Sequence, residues 1–457
     1  MWKGLPVLPV EEQRSLPTGT RYHRSAAHPK ILDIETHEPA PLGSGDTRYS
    51  FSQIEMMATR LKPYVDTPIL QFDRHRLRRA AQMTKSYLNS VIGTHKSPNL
   101  TYQTACNLLP RDTSCGPFVA GLKGDYYDEE TQTFTGQLEE HLQRSWDQAC
   151  RGKPLENAYK LALKDELLPY EKCQVGKRRL LWGCDAGVTL IANGVFKPVA
   201  VRLQEMLPLH PVMVGVNMDS NMPGMMLKAM ADRVMYNVDY KAWDSTMQPA
   251  VIAQAIHIMA SWAEDTALTS AVVSTLSSSA HGYVNDVVLH TKTGLPSGMP
   301  FTSQLNSICH MICLAYAIIS AYEHHGVPYS GNVFEVETVY TYGDDGWYGF
   351  CKATASVFPD VLGGLRDIGL QPTAPDKSSE ILPTVNPIFL QLEIKTWQDR
   401  VVAALDWSSL IRQFFWVKAQ RTMDIYSPGR YDLQARAVQI ENCLILAVPH
   451  GEGSGGR

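Results

Sequence analysis

A chain of 457 residues, 44% hydrophobic and 19% charged, has an ordinary globular balance and enough length for a large core in two or three subdomains. Its formal net charge of -4 excludes a basic nucleic-acid coat, although a polymerase with positive charge gathered in a channel keeps such a balance. Nine cysteines without CxxC pairing exclude a zinc ribbon or a disulfide scaffold and suit a reducing compartment. No stretch reads as the roughly 18–20 apolar residues of a spanning helix, and the start lacks a signal-peptide layout. A soluble intracellular protein is the expectation.

Residues 1–50 are rich in Pro, Gly and His and read as an extended arm or a loose leader. From Phe51 to about Ile92 the spacing of Ile54, Met57, Ala58, Leu61 and Tyr64 predicts helix, interrupted at Pro63 and Pro68. Helix is expected again over Thr101–Leu109 and Leu138–Trp146, with a loop at Thr113–Ser114–Cys115–Gly116–Pro117. The stretch Ala158–Leu190 carries Lys160, Lys164, Lys172, Lys177, Arg178 and Arg179 just ahead of apolar Leu180, Leu181 and Trp182. Such a run is either a solvated face or the lining of a groove that attracts phosphates.

Tyr236–Asp239, extended back to Val234, predicts a strand ending in Asp239–Tyr240–Lys241–Ala242–Trp243–Asp244, followed by helix over Ala250–Trp262. Tyr283–Lys292 predicts a hairpin, and Gly294–Leu295–Pro296–Ser297–Gly298–Met299–Pro300 a constrained loop feeding a helix from Thr302 to about Tyr322. Phe334, Val336, Val339 and Tyr340 are spaced like a strand, and Trp347, Tyr348 and Phe350 like its partner. The hairpin between them presents Asp344 and Asp345 at its tip, with Gly343 where a tight turn needs a permissive backbone. Ala355–Ile368 reads as helix, kinked by Pro359 and Gly363–Gly364. Ile388–Ile394 and Val401–Leu405 read as an antiparallel pair, and 408–418 and 432–448 as a helical tail module.

Adjacent carboxylates repel unless a cation sits between them. An isolated Gly-Asp-Asp also serves as a solvated acidic turn, and a lone Asp239 as a surface or capping residue. If the two Asp-bearing strands are neighbours, three carboxylates converge and suit two divalent cations about 3.5–4 Å apart. That arrangement serves in-line displacement at phosphorus, with Mg2+ expected from the oxygen donors.

The ordered set Lys164–Asp165–Glu166–Leu167, Gly176–Lys177–Arg178–Arg179–Leu180–Leu181–Trp182–Gly183, Asp239–Tyr240 with Trp243–Asp244–Ser245–Thr246, Gly294–Pro300 with Thr302–Ser303 and Asn306–Ser307, Tyr342–Gly343–Asp344–Asp345, and Asp376–Lys377–Ser378 resembles the RNA-dependent RNA polymerases of positive-strand RNA viruses. Within these it resembles the caliciviruses, and among them the sapoviruses, whose start Trp2–Val7 and Pro17–His23 also look like. The resemblance covers nearly the whole chain. It implies an α+β fold, a closed right hand of fingers, palm and thumb, the palm a small antiparallel sheet flanked by helices. The implied division is 1–50 an arm bridging fingers and thumb, 51–232 mainly fingers, 233–275 palm, 276–292 a fingers/palm junction, 293–396 palm, and 397–457 a thumb that stops early.

By the same resemblance Asp239 and Asp344 bind two Mg2+ ions, which Mn2+ can replace, with help from Asp345 and the Tyr240 carbonyl. Asp244, Ser297, Thr302 and Asn306 contact the incoming ribose, whose 2′-hydroxyl both donates and accepts. Asn306 otherwise bonds locally on its helix. Lys164, Lys177 and Arg179 match the nucleotide-channel basics. Lys377 matches a lysine that protonates departing pyrophosphate or only neutralises its charge. Ser297–Gly298 matches a gating loop, or is a simple turn; Ser114 and Gly116 match a loop at the template entrance, or are a plain turn. Gly298 is grouped with the RNA contacts, and Arg412 either touches product phosphate or lies on a helix surface.

Implied partners are RNA template and product, nucleoside triphosphates, the viral genome-linked protein as primer and other viral replication proteins. The implied location is host cytoplasm, in replication complexes at intracellular membranes. The chain departs from the family at Leu390–Gln391–Leu392–Glu393, where basic groups are usual, at Gly346–Trp347 and at Lys241. The first reading is template-directed RNA synthesis. A catalytically impaired RNA-binding component of the replication complex is the alternative, favoured by the Gln391–Glu393 change and the early end. A reverse transcriptase is a third reading, which Asn306 and Asp244 oppose.

Overall fold

The computed structural model describes residues 19–24, 37–43, 45–285, 287–375, 378 and 380–418. They divide into two units. The larger comprises Lys62–Ala162 and Leu181–Leu390; the smaller comprises Met1–Leu61, Leu163–Leu180 and Gln391–Arg457. The expected helix over 432–448 and Lys377 lie outside the described residues.

The larger unit is organised on a small antiparallel sheet. Its strands are β1 (Val234–Tyr240), β2 (Thr338–Tyr342), β3 (Asp345–Phe350) and β4 (Pro372–Thr373), in the spatial order β2-β3-β1-β4. Alternation drives β1: Tyr236, Val238 and Tyr240 share one face and are buried. β2 and β3 form a hairpin in which Tyr342 opposes Asp345, leaving Gly343 and Asp344 as a two-residue turn. Gly343 takes φ +64° there, the left-handed region that such turns assign to glycine.

The helices of this unit include α1 (Arg74–Ile92), α2 (Ala186–Glu205), α3 (Pro249–Ala260), α4 (Thr302–His324) and α5 (Phe358–Asp367), of which α4 packs on β2 and α5 on β4. α4 is apolar nearly all round and packs on α1, α3, α5 and β2. Both α2 and α4 are long and apolar enough to cross a membrane, with 78% and 89% of those spans buried inside the protein. The expectation that no stretch passes this test is therefore corrected. The reason is burial on several sides, which removes the polar stripe a surface helix keeps. A second sheet runs in the order Val287–His290, His281–Val284, Ala158–Leu163, Leu180–Cys184, with Ala158–Leu163 parallel to His281–Val284.

In the smaller unit His37–Pro39 pairs with Leu167–Pro169, Tyr22–Arg24 with Trp416–Lys418, and Leu392–Trp397 with Arg400–Leu405. Buried Arg178 ties three backbone carbonyls together, those of Pro41 (2.9 Å), Leu163 (3.2 Å) and Lys164 (2.7 Å).

Several local expectations change. Val333–Val336 is a short helix, because the Asn332 side chain accepts from the Phe334 amide and starts a turn; the strand begins only at Thr338. Pro63 sits inside a helix, Gln53–Asp66, and the break comes after it, where Asp73 caps α1 by accepting from the amides of His75 and Arg76. The helix expected over Ala355–Ile368 is two, Lys352–Ser356 and α5; Pro359 starts the second rather than kinking it. The strand expected from Ile388 to Ile394 is Leu392–Trp397, preceded by the two-residue strand Ile388–Phe389. The tail segment 408–418 is helix Trp407–Phe415 and then strand Trp416–Lys418.

Candidate active site

The antiparallel register of β3 on β1 pairs Gly346 with Val238, so the next step along sets Asp345 across from Asp239. On its other side Asp239 opposes Thr373 of β4. Asp344 follows at the exposed tip of the β2–β3 turn. Three carboxylates thus gather at one end of one sheet, but only Asp344 sits in the turn: Asp345, expected beside it at the tip, is the first residue of β3 and pairs with Tyr342. Their donors, with the Tyr240 carbonyl nearby, are all oxygen, the set hard divalent cations take. Asp239 Oδ1 accepts from the Tyr240 amide at 2.6 Å and Asp345 Oδ2 from the Leu390 amide at 2.5 Å. Burial pushes the Asp345 carboxyl up to about 7; the Asp344 charge adds to this, while the amides of Leu390 and Gly346 oppose it. A cation at this site would favour the ionised form.

Helix α4 grips the turn from below. Ser307 Oγ accepts from the Gly343 amide at 3.0 Å, and His310 Nδ1 meets the Gly343 carbonyl at 2.9 Å. His310 Nε2 meets the Tyr348 hydroxyl, which lies 2.8 Å from the Tyr240 hydroxyl. Burial pushes the His310 imidazole down to about 4. Sequence reading missed His310, Tyr348 and the part played by Ser307. The available signal was a serine and a histidine three apart on an otherwise apolar helix.

Beside the carboxylates, the loop after β1 and the loop before α4 lock together. The Asp244 carbonyl accepts from the Leu295 amide at 2.7 Å, and the Met247 carbonyl from the Gly294 amide at 2.8 Å. The Thr293 hydroxyl donates to the Ser245 carbonyl at 2.9 Å, and the Thr302 hydroxyl to the Pro296 carbonyl at 3.3 Å. The Trp243 indole donates to Asn306 Oδ1 at 2.9 Å, which fixes the amide with its Nδ2 turned the other way. Asp244, Ser297, Thr302 and Asn306 therefore lie on segments held to one another, and Ser297 is exposed. Gly298 approaches the strand Leu180–Cys184 so closely that a Cβ there would stand 1.6 Å from the Trp182 carbonyl oxygen.

The Ser114–Gly116 loop is fixed by a residue the sequence reading passed over, buried Lys123. Its ammonium donates to the Ser114 carbonyl at 2.5 Å and the Thr113 hydroxyl at 2.9 Å. Gly116 lies against the backbone of Asp185. An open cavity of about 590 Å³ is lined by Phe118, His141, Arg144, Glu156 and Asp185 and includes none of Asp239, Asp344 and Asp345.

Lys164, Lys177 and Arg179 belong to the smaller unit. The Lys164 amide donates to the Arg179 carbonyl at 2.9 Å. The Arg179 guanidinium, 64% exposed, grips Glu166, whose side chain is 4% exposed. Burial, then the neighbouring Arg179 charge, lowers the Lys164 ammonium from its usual range. Arg412 donates to the Ser409 hydroxyl of its own helix at 3.0 Å and also meets His37 Nε2 at 3.4 Å.

Among the described residues, His324, His325 and Asp360 bring their ligand atoms close enough together to hold a metal ion. Each imidazole meets the carboxylate at 3.0 Å. His324 lies fourteen residues beyond His310 on α4, roughly 20 Å at the helical rise, so this trio is separate from the aspartates.

A family profile described as viral RNA-dependent RNA polymerase matches residues 25–454. The chain is 36% identical over 98% of its length to the genome polyprotein of Canine calicivirus (strain 48), covering 24% of that protein. It is 36% identical over 99% to that of Vesicular exanthema of swine virus serotype A48, covering 24%, and 35% identical over 98% to that of Feline calicivirus (strain Japanese F4), covering 26%. The chain thus spans about a quarter of the length of the curated relatives it matches.

Proposed function

The chain belongs to the viral RNA-dependent RNA polymerases, of the calicivirus kind, and from that premise we propose that it copies an RNA template by two-metal nucleotidyl transfer. The observation that carries this reading is the strand register that sets Asp345 across from Asp239 with Asp344 beside it. The narrower placement among sapoviruses rests on the likeness of Trp2–Val7 and Pro17–His23 to the sapovirus start.

Asp239, Asp344 and Asp345, with the Tyr240 carbonyl, would hold two Mg2+ ions. When bound, these supply Lewis acidity to the attacking hydroxyl and to the leaving pyrophosphate. Asp244, Ser297, Thr302 and Asn306 line the place of the ribose. Asn306 Nδ2 donates to the 2′-hydroxyl, which a deoxyribose lacks. Lys164, Lys177 and Arg179 neutralise the triphosphate, and Glu166 keeps the Arg179 fork oriented. The primer 3′-hydroxyl, or a hydroxyl on a genome-linked protein, gives up its proton to solvent water and bonds to the α-phosphorus. The bond to the β-phosphate bridging oxygen breaks, and pyrophosphate leaves, with Lys377 donating a proton to it or balancing its charge. Ser114, Gly116 and Gly298 guide the template and Arg412 the product strand.

In this reading residues 233–275 and 293–396, which carry the sheet with α3, α4 and α5, form the palm, with the fingers mainly over 51–232 and the thumb over 397–457. The working site is host cytoplasm at membrane-borne replication complexes with other viral replication proteins. The test is nucleotide incorporation on a homopolymeric RNA template, with and without primer, in Mg2+ and in Mn2+. Asp344→Asn with Asp345→Asn is the control. Incorporation by the unaltered chain alone is expected. RNA binding with no incorporation by either would make it instead an RNA-binding component.

A further inference from the structure

We propose that His310, donating from Nδ1 to the Gly343 carbonyl, is a positioning residue that sets the geometry of the Asp239, Asp344 and Asp345 carboxylates. This rests on the metal-site reading above.

The Gly343–Asp344 peptide leads from the turn glycine into the tip carboxylate. Its carbonyl has no proton, so the 2.9 Å contact with His310 requires Nδ1 to donate. In the neutral imidazole Nε2 is then an acceptor, and the Tyr348 hydroxyl donates to it. The Tyr348 oxygen accepts in turn from the Tyr240 hydroxyl 2.8 Å away. The proton order is thus fixed in one direction: Tyr240 to Tyr348, Tyr348 to His310, His310 to Gly343.

The two ends of that chain matter. Tyr240 follows Asp239 on β1, and Gly343 precedes Asp344 in the turn. One buried imidazole on α4 therefore ties both metal-bearing segments to the same helix. Ser307, one turn earlier, accepts the Gly343 amide at 3.0 Å while donating to the Ser303 carbonyl at 2.8 Å. Both polar groups of the Gly343 residue are held by α4 side chains, but only the His310 bond fixes the plane of the peptide leading into Asp344. The ring is wedged between Trp243, at 4.8 Å between centroids, and Tyr240, at 5.2 Å, so it has little freedom to take another rotamer. Carboxylates meant to share two cations need placement to within a fraction of an ångström, and a two-residue turn at a sheet end does not supply that alone.

The test compares His310→Asn, His310→Gln and His310→Leu in the full chain. Asparagine places an N–H where Nδ1 stands; glutamine reaches toward the Nε2 position; leucine fills space only. The primary readout is Mn2+ binding by electron paramagnetic resonance without RNA or nucleotide. The second is the Mg2+ concentration giving half-maximal incorporation. Leucine and glutamine are expected to weaken Mn2+ binding and raise the Mg2+ requirement about tenfold or more, with RNA affinity within about twofold of the unaltered chain. Asparagine is expected to stay within about threefold on both. Equal effects of asparagine and glutamine, or a loss of thermal stability without a change in metal dependence, would make His310 a core filler and overturn the proposal. Should the leucine protein fail to fold, the asparagine–glutamine contrast still decides. If the unaltered chain binds Mn2+ no better than the Asp344→Asn plus Asp345→Asn protein, the metal-site reading itself fails and takes this inference with it.

Discussion

Asp345 joins burial to a like charge, and its proton therefore reports on the site. Its carboxyl is raised to about 7 in the metal-free protein, against an unfolded value near 4. Stability from the protonated form is complete below the unfolded value and is lost as pH rises through about 7. Thermal melts without divalent metal are expected to show Tm falling from pH 5.5 to 8. Asp345→Asn should lack that component, and Mg2+ should raise Tm more at pH 8 than at pH 6. Glu166 gives a second expectation at the same scale. Its buried carboxylate holds an exposed arginine fork, so Glu166→Gln weakens the grip that orients Arg179. Steady-state kinetics should show KM for the nucleoside triphosphate rising roughly fivefold with a smaller change in kcat.

Two glycines separate conformation from space. At Gly343 a Cβ would meet nothing within 4 Å, so Gly343→Ala suffers only the left-handed backbone penalty, about 1 kcal/mol. Gly298→Ala places its methyl in the Trp182 carbonyl, so loop and strand must separate. A loss of about 3 kcal/mol or more by denaturant unfolding is expected, with incorporation abolished well before the fold is. The elements that could be read ahead were those whose pattern is local. Val234–Tyr240 alternates, Trp347, Tyr348 and Phe350 form an apolar run after a Gly-Asp turn, and Thr302–His324 is a long apolar run, so strand, hairpin and helix were legible, as was the gathering of Asp239, Asp344 and Asp345. Val333–Val336 was misread because two apolar residues two apart look like a strand until Asn332 starts a turn. His310, Lys123 and Glu166 stayed hidden for another reason. Each acquires its role from a partner distant in the chain or only visible once burial is known: Gly343 for His310, the Ser114 loop for Lys123, Arg179 for Glu166. Periodicity carries no information about such pairings.

At the scale of the whole molecule, a formal net charge of -4 means that any RNA affinity must come from local clusters working against the average. Binding of a homopolymeric RNA is expected to weaken steeply with salt, and Arg412→Ala should reduce the log–log slope by about one. Helix α4, buried along most of its length and packed on three helices and a strand, has a further consequence. Its amides have no route to solvent short of opening the larger unit as a whole. In deuterated buffer, peptides from its middle should take up label last, at a rate equal to that of global opening. The exposed Ser297 loop just before it should label early and slow on binding nucleotide. The two neighbouring segments would then serve as a paired clock, one timing the unfolding of the unit and the other the occupancy of its site.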